Sequence, residues 1–450
     1  MFSYPESSIF MRTVRTLLVC AIATSLALQT VAQSGSKPTA AAKVTLVKAG
    51  RLLDVKSGRY LTDQGVLIEG ERIKEVGPLS EVQAHTPRGA SVIDLSRATV
   101  LPGLIDCHAH VLGNLEDFSA TQALRLSSAQ QTVWGAHNLR LWLEQGFTGL
   151  RDACESDPGY GQFALRDGVS RGLIEGPRMA SSGGCISLNG GHGDANVLAP
   201  DRELPRLPNV ADTADEMAVV VRRDLKYGAD WIKLMATGGI LDPFSDYNTQ
   251  ELSEAQMREA VEIAHRAGRR VMAHAEGAAG IKAAVRAGVD SIEHGTVLDE
   301  EGARLMAERG TWLVPTLYTF QYGAELGERL GLEPVMLEKV RSIIRFQGPA
   351  FQLALKYHVK IAFGLDNSPA LLPREFEALV RGGMQPIDAI RAATINAAEL
   401  LGWQSSVGSI ESGKYADIIA VAGDPLADIG EMGRVKFVMK GGKVYKDGFH

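Results

Sequence analysis

The sequence predicts an α/β fold: a (β/α)8 TIM barrel with a small β-sandwich domain formed from both chain ends. Three observations carry that prediction. Eight short, mostly apolar segments alternate with amphipathic stretches between residues 104 and 367, as parallel strands covered on both faces should. Several of the amphipathic stretches stop at a glycine just ahead of the next apolar segment, at Gly146, Gly228, Gly268, Gly288 and Gly310. Glycine there supplies the left-handed conformation that ends a helix. Finally, short β-rich runs broken by turns occupy residues 43–95 and return only after residue 413.

Taken in order, the chain opens with Met11-Arg12-Thr13-Val14-Arg15, short and positive, followed by an apolar run from Leu17 to Leu28 and small residues at Thr30-Val31-Ala32. This is the pattern of a secretory signal peptide over residues 1–33, with Met11 an alternative start. The apolar run is too short to span a bilayer comfortably. Residues 34–42 read as a linker. Residues 43–54, 65–78 and 91–95 have the texture of hairpins. The barrel strands are expected at 104–110, 147–153, 178–184, 231–236, 271–276, 291–296, 311–317 and 360–367. Ser253 with Gln256 three residues on is a capping box that starts one of the helices between them. At the far end, 413–423 and the strands flanking Gly441-Gly442 complete the small domain, the glycine pair marking a two-residue hairpin. The predicted divisions are therefore 1–33, 34–42, 43–100 and 407–450 for the β-sandwich, and 101–406 for the barrel.

Composition excludes several classes. A net charge of −6 with no basic run argues against nucleic acid. Hydrophobic residues at 45% and charged ones at 22% suit a globular protein with no membrane association after signal cleavage. The cysteines remaining after cleavage, Cys107, Cys154 and Cys185, are odd in number and irregularly spaced, so no disulfide framework is expected. The chain is expected to be periplasmic or secreted.

Chemistry gathers at the strand ends. His108 and His110 close the first barrel strand, and residues i and i+2 of a strand share a face. Lys233 interrupts the apolar fourth strand, His274 and His294 end the fifth and sixth, and Asp366 ends the eighth. Each alone has an ordinary structural explanation; all six on one rim of a barrel do not. The lysine is the sharpest clue. A protonated ammonium cannot bind a cation, but burial depresses a lysine's pKa, and a neutral amine can add carbon dioxide to become a carbamate that bridges two metal ions. His108, His110 and Asp366 would hold one ion and His274 and His294 the other, with carboxylated Lys233 shared. Nitrogen and oxygen ligands without thiolate suit Zn2+, with manganese or iron as alternatives. Two ions about 3.5–4 Å apart turn water into a nucleophile near neutral pH.

With these residues in place, the chain resembles the metal-dependent amidohydrolase superfamily in its binuclear, carboxylated-lysine form. TVLPGLIDCHAH opens the resemblance, and ATINAAELLG and GSIESGKYADIIAVAGDPL close it. WIKLMATGG, MAHAEG and SIEHGT are similar to the Xaa-Pro dipeptidase and imidazolonepropionase-like branch. The resemblance implies a dipeptidase-like enzyme that cleaves the amide bond of dipeptides or N-acyl amino acids at a C-terminal residue. Ochratoxin A, an amide of phenylalanine, falls within that class. It also implies His108, His110, Lys233, His274, His294 and Asp366 as ligands, with Asp366 as the acid–base group for the nucleophilic water and the leaving amine. The family is commonly homo-oligomeric. Leu365 departs from it, where relatives often have threonine, and is expected to alter pocket polarity.

Strands without a ligand are free to serve the substrate. His192, in the loop Asn189–Asp194, and Tyr318, after the seventh strand, are expected to contact it, and the loop Gly238–Tyr247 to border the pocket. Arg151 and Asp152 read as an internal ion pair. Competing readings are a mononuclear deaminase using Glu276, a lactonase or esterase on the same barrel, and a non-catalytic binding protein on this fold.

Overall fold

The computed structural model describes residues 43–449 apart from 118, 120, 195–198, 200 and 203–205. The expected signal segment and linker lie outside the described residues. Among the described residues no helix is long and apolar enough to cross a membrane.

The barrel is a seven-stranded parallel sheet in chain order. It runs from β5 (Leu104–Ala109) through β6 (Phe147–Asp152), β7 (Arg178–Ile186), β8 (Trp231–Met235), β9 (Arg270–Ala275) and β10 (Ser291–His294) to β11 (Trp312–Val314). The eighth expected strand is reduced to one parallel bridge, Leu313 to Ile361. It still sits in the gap: Leu313 N donates to Lys360 O, and Cys107 N donates to Phe363 O at 2.8 Å. Beyond it the chain reaches Asp366, whose φ of +51° is left-handed. The five helix-ending glycines all have positive φ, and Ser253 with Gln256 forms the expected capping box.

The second sheet also has seven strands, ordered β14-β13-β12-β4-β1-β2-β3. Its N-terminal members are β1 (Val44–Asp54), β2 (Arg59–Glu69), β3 (Arg72–Pro78) and β4 (Ser91–Pro102), and its C-terminal ones β12 (Ile418–Val421), β13 (Phe437–Lys440) and β14 (Lys443–Asp447). The two chain ends meet where β4 pairs antiparallel with β12. Alternating residues from both ends, among them Val47, Val66, Val100, Ile418 and Phe437, bury a shared apolar core. Gly441 and Gly442 both have positive φ, the requirement of a type I′ hairpin turn. β4 leads through Gly103 into β5, so the sheet anchors the strand that carries the first two histidines. A Cβ on Gly103 would lie 2.2 Å from Thr148 Oγ1, which explains glycine at that crossing.

Inside the barrel, Ile105, Cys107, Trp231, Met272, Trp312 and Val314 form a compact apolar plug. Arg151 lies among them, its guanidinium 4.5 Å from the Trp231 ring centre. A buried charge there needs a partner, and that partner belongs to the site above.

Candidate metal centre

The six expected ligands all line one cavity of about 510 Å³, together with His192 and Glu276. β5 is buried throughout, and its alternation sends His108 and His110 the same way. Their Nε2 atoms lie 3.4 and 3.2 Å from Asp366 Oδ1. The rings of His108 and His294 are 4.9 Å apart, and those of His274 and His294 4.8 Å. His108, His294 and Asp366 offer donor atoms within 4.8 Å of one another, as do His274, Glu276 and His294. Both His294 and Asp366 hold left-handed backbone, with φ of +70° and +51°. Non-glycine residues adopt that conformation at a cost of about 1–3 kcal/mol each, and such strain clusters at functional sites.

Each imidazole is aimed by a second bond. His108 Nδ1 lies 2.7 Å from Glu293 Oε2. Glu293 is itself gripped by the Arg151 guanidinium, with both oxygens at 2.8 Å. That carboxylate can only accept, so Nδ1 carries the hydrogen and Nε2 presents its lone pair to the site. His110 Nδ1 donates to Cys154 O at 2.6 Å, and His274 Nε2 to Gly238 O at 3.1 Å. His294 Nδ1 meets Thr316 Oγ1 at 2.7 Å. Asp106 ties the two ends of the barrel seam together, accepting from His108 N at 3.0 Å, Leu365 N at 3.1 Å and Trp142 Nε1 at 2.9 Å. Gly364 allows the seam to close, since a Cβ there would lie 2.8 Å from His108 Cβ.

Electrostatics suit a cation. Burial holds His108, His274 and His294 well below the usual imidazole pKa, so all three stay neutral and able to ligate. Burial also opposes charge on His110, but the neighbouring Asp366 carboxylate outweighs it and raises that pKa. Asp366 would be raised by burial too, yet the surrounding imidazoles hold it below its ordinary value. Lys233 is 1% exposed, and burial lowers its pKa to about 8. Glu276 Oε1 is buried with no hydrogen-bond partner among the described residues. Neutral imidazoles, an ionised carboxylate, a weakly basic amine and an orphaned carboxylate oxygen fit a divalent metal centre.

Several expectations are corrected. Tyr318 is not brought to the cavity; its hydroxyl donates to Glu325 Oε2 at 2.9 Å, and Thr319 and Phe320 line the wall instead. The helix Leu317–Leu326 starts here and turns Tyr318 outward. Arg151 pairs with Glu293 rather than Asp152, because consecutive strand residues face opposite sides. Asp152 lies beside Glu155, and burial raises its carboxyl well above the usual range. Leu365 does not line the cavity; it is buried in the apolar core outside the barrel, while its carbonyl accepts from Thr319 Oγ1 at 2.7 Å.

The cysteines are corrected too. Cys154 and Cys185 form a disulfide across the ends of β6 and β7, leaving Cys107 free and buried. Their spacing of 31 residues is one strand–helix–strand step, which spacing along the chain does not reveal. Closing a loop of that length stabilises the fold by about 3–4 kcal/mol in the chain-entropy account. The Cys154→Ser/Cys185→Ser variant should lose about that much in denaturant unfolding followed by circular dichroism, and an unchanged midpoint would remove the disulfide from the ledger of stabilising contacts.

Glu293, Asp106 and Thr316 were the functional residues that sequence reasoning passed over. Only Glu293 left a signal: it adjoins His294 inside a strand otherwise too buried to hold a lone charge.

Comparison with known proteins follows the same lines as the geometry. A sequence model of the amidohydrolase family matches residues 99–445. Ochratoxinase of Aspergillus niger is 35% identical over 430 residues, covering 90% of this chain and 87% of the relative. The crystal structure of A. niger ochratoxinase superposes with a TM-score of 0.78, at 30% identity over 91% of this chain and 97% of that one. A Xaa-Pro dipeptidase with methionine bound in its active site superposes with a TM-score of 0.84, at 34% identity over 90% of this chain and all of the other.

Proposed function

This chain belongs to the amidohydrolase family and is a hydrolase of C–N bonds, and from that premise we propose that it is a binuclear zinc enzyme cleaving dipeptides and N-acyl amino acids at a C-terminal residue. Ochratoxin A, which would yield phenylalanine and ochratoxin α, is the member of that class with which to begin. The observation that carries the reading is the convergence of four imidazoles, Asp366 and the buried amine of Lys233 on one cavity. No ion-pair or hydrogen-bond partner of Lys233 Nζ occurs among the described residues, which suits conversion of the neutral amine to a carbamate.

His108, His110 and Asp366 would hold one ion, His274 and His294 the other, with carboxylated Lys233 between. Ions so placed lower the pKa of water from about 15.7 towards neutrality and polarise a carbonyl. Asp366, beside His108 and His110, is positioned to take a proton from the attacking water and return it to the leaving amine; such transfer contributes typically about 10²–10⁴-fold. His192 faces the same cavity and contacts the substrate's carboxylate or carbonyl oxygen. Leu124, Leu207, Ile240, Leu241, Pro243 and Phe320 give the cavity an apolar side, suited to a bulky acyl group. The disulfide accords with export through the N-terminal segment, since disulfides persist in oxidising compartments.

The test is metal analysis of the purified enzyme alongside a panel of dipeptides and N-acyl amino acids that includes ochratoxin A. About two ions per chain and release of the C-terminal residue are expected. The orphaned oxygen of Glu276 favours one competing reading, a mononuclear enzyme with Glu276 as acid–base group. About one ion per chain and no release of any C-terminal residue would decide for it.

A further inference from the structure

We infer that Asp242 and Lys339 are positioning residues for the reaction, holding His192 in the one orientation from which its Nε2 can reach the substrate. This deepens the reading above and rests on it, since it presumes that His192 meets the substrate.

The inference starts from the loop after β8. Thr237 and Gln250 bridge its base, and its tip folds around an ammonium from a distant element. Lys339, on the helix Pro334–Lys356, donates to Gly239 O at 3.2 Å, Asp242 O at 2.7 Å and Ser245 O. An ammonium has three hydrogens, and all three are used to set the loop. Lys339 Nζ also lies 4.0 Å from Asp242 Oδ1.

Asp242 is the product of that arrangement. Its Oδ1 accepts from Phe244 N at 2.9 Å and Ser245 N at 2.6 Å. Its Oδ2 accepts from the Ser245 hydroxyl and, at 2.6 Å, from His192 Nδ1. With every direction but one taken by its own loop, the carboxylate cannot turn, and the remaining direction is the imidazole.

His192 is then restrained from every side. Its backbone N donates to Glu251 Oε2 at 3.0 Å. Its ring packs on His274, with centres 4.6 Å apart. On another side lies Gly239, where a Cβ would approach the ring atoms to 2.2–2.5 Å. That contact requires glycine. Asp242 fixes the hydrogen on Nδ1, so Nε2 is the atom left for the cavity, and among the described residues it has no partner. The chain of contacts therefore runs from residue 339 through the loop to residue 192 and thence to the substrate, and it meets the proposed metal ligands only at His274, by ring packing with His192 and by the bond from His274 Nε2 to Gly238 O.

A double-mutant cycle tests it, with kcat and KM on a hydrolysed N-acyl amino acid, metal content and melting temperature measured for each protein. Displacing a substrate-positioning group by about 1 Å costs on the order of 10²-fold. Asp242→Asn should lower kcat/KM by about that factor, and Lys339→Met, which leaves the loop's own residues unchanged, by about tenfold, both with wild-type metal content. In a His192→Ala background, Asp242→Asn should change kcat/KM by less than about twofold, because the group through which it acts is gone. A full multiplicative loss in that background, or wild-type kinetics for Asp242→Asn beside an impaired His192→Ala, would overturn the inference alone. Wild-type kinetics for His192→Ala would overturn the substrate contact itself, and the inference with it.

Discussion

Lys233→Ala should release most of the bound metal and lower kcat/KM by on the order of 10³-fold or more, while the barrel stays folded. The side chain is fully buried on β8, beside the strand β9 that carries His274, and alanine keeps β8 intact. On the proposed reading, the substitution would remove the bridging carbamate and with it a pair of ions that would lower the pKa of water by about eight or nine units. Metal content by plasma mass spectrometry should fall well below two ions per chain, and circular dichroism should change little. Addition of a short carboxylate such as propionate, able to enter the vacated space, should restore part of the activity. A variant that kept two ions and wild-type turnover would remove Lys233 from the site.

Glu293→Gln should weaken metal binding and destabilise the fold together. Glu293 joins two buried groups: it takes the hydrogen of His108 Nδ1 at 2.7 Å and accepts from Arg151 Nη2 on both oxygens at 2.8 Å, the charged partner of a guanidinium whose other bonds go to the neutral Cys107 O and Ser291 Oγ. Arg151 and Glu293 are both 0% exposed. Removing the negative partner leaves the guanidinium uncompensated, which costs about 3–5 kcal/mol. It also frees the His108 ring to adopt the tautomer that points a hydrogen, not a lone pair, at the metal, and loss of such an orienting carboxylate costs typically about 10–100-fold in affinity. Chemical denaturation and competition with a chelator measure the two effects separately. The result that would sink this account is a variant with lowered stability but undiminished metal affinity, which would make Glu293 a partner of Arg151 only.

The barrel was legible because its signals are local. Each apolar run is long enough to mark a strand, and each terminal glycine marks where a helix stops, so seven of eight strands fall where the sequence places them. The eighth shrank to the single bridge between Leu313 and Ile361, an extent of pairing that the apolar run at 360–367 does not announce. His108, His110, His274, His294, Lys233 and Asp366 were found together because strand ends in a barrel converge. Tyr318 was misplaced by a helix that begins one residue before it, and the disulfide was missed because Cys154 and Cys185 become neighbours only when β6 pairs with β7.

By itself, the sequence determined the periodicity, the caps, the meeting of the two chain ends and a set of candidate ligand residues that line one cavity, all of which depend on side-chain type and spacing along the chain. Only the tertiary structure decided which partner aims each imidazole: Glu293 for His108, the Cys154 carbonyl for His110, Thr316 for His294 and Asp242 for His192. Those partners lie 22 to 185 residues away. Hydrogen bonds extend only about 3 Å, so residues that far apart in the chain become partners only once β-sheet pairing has closed the barrel around them.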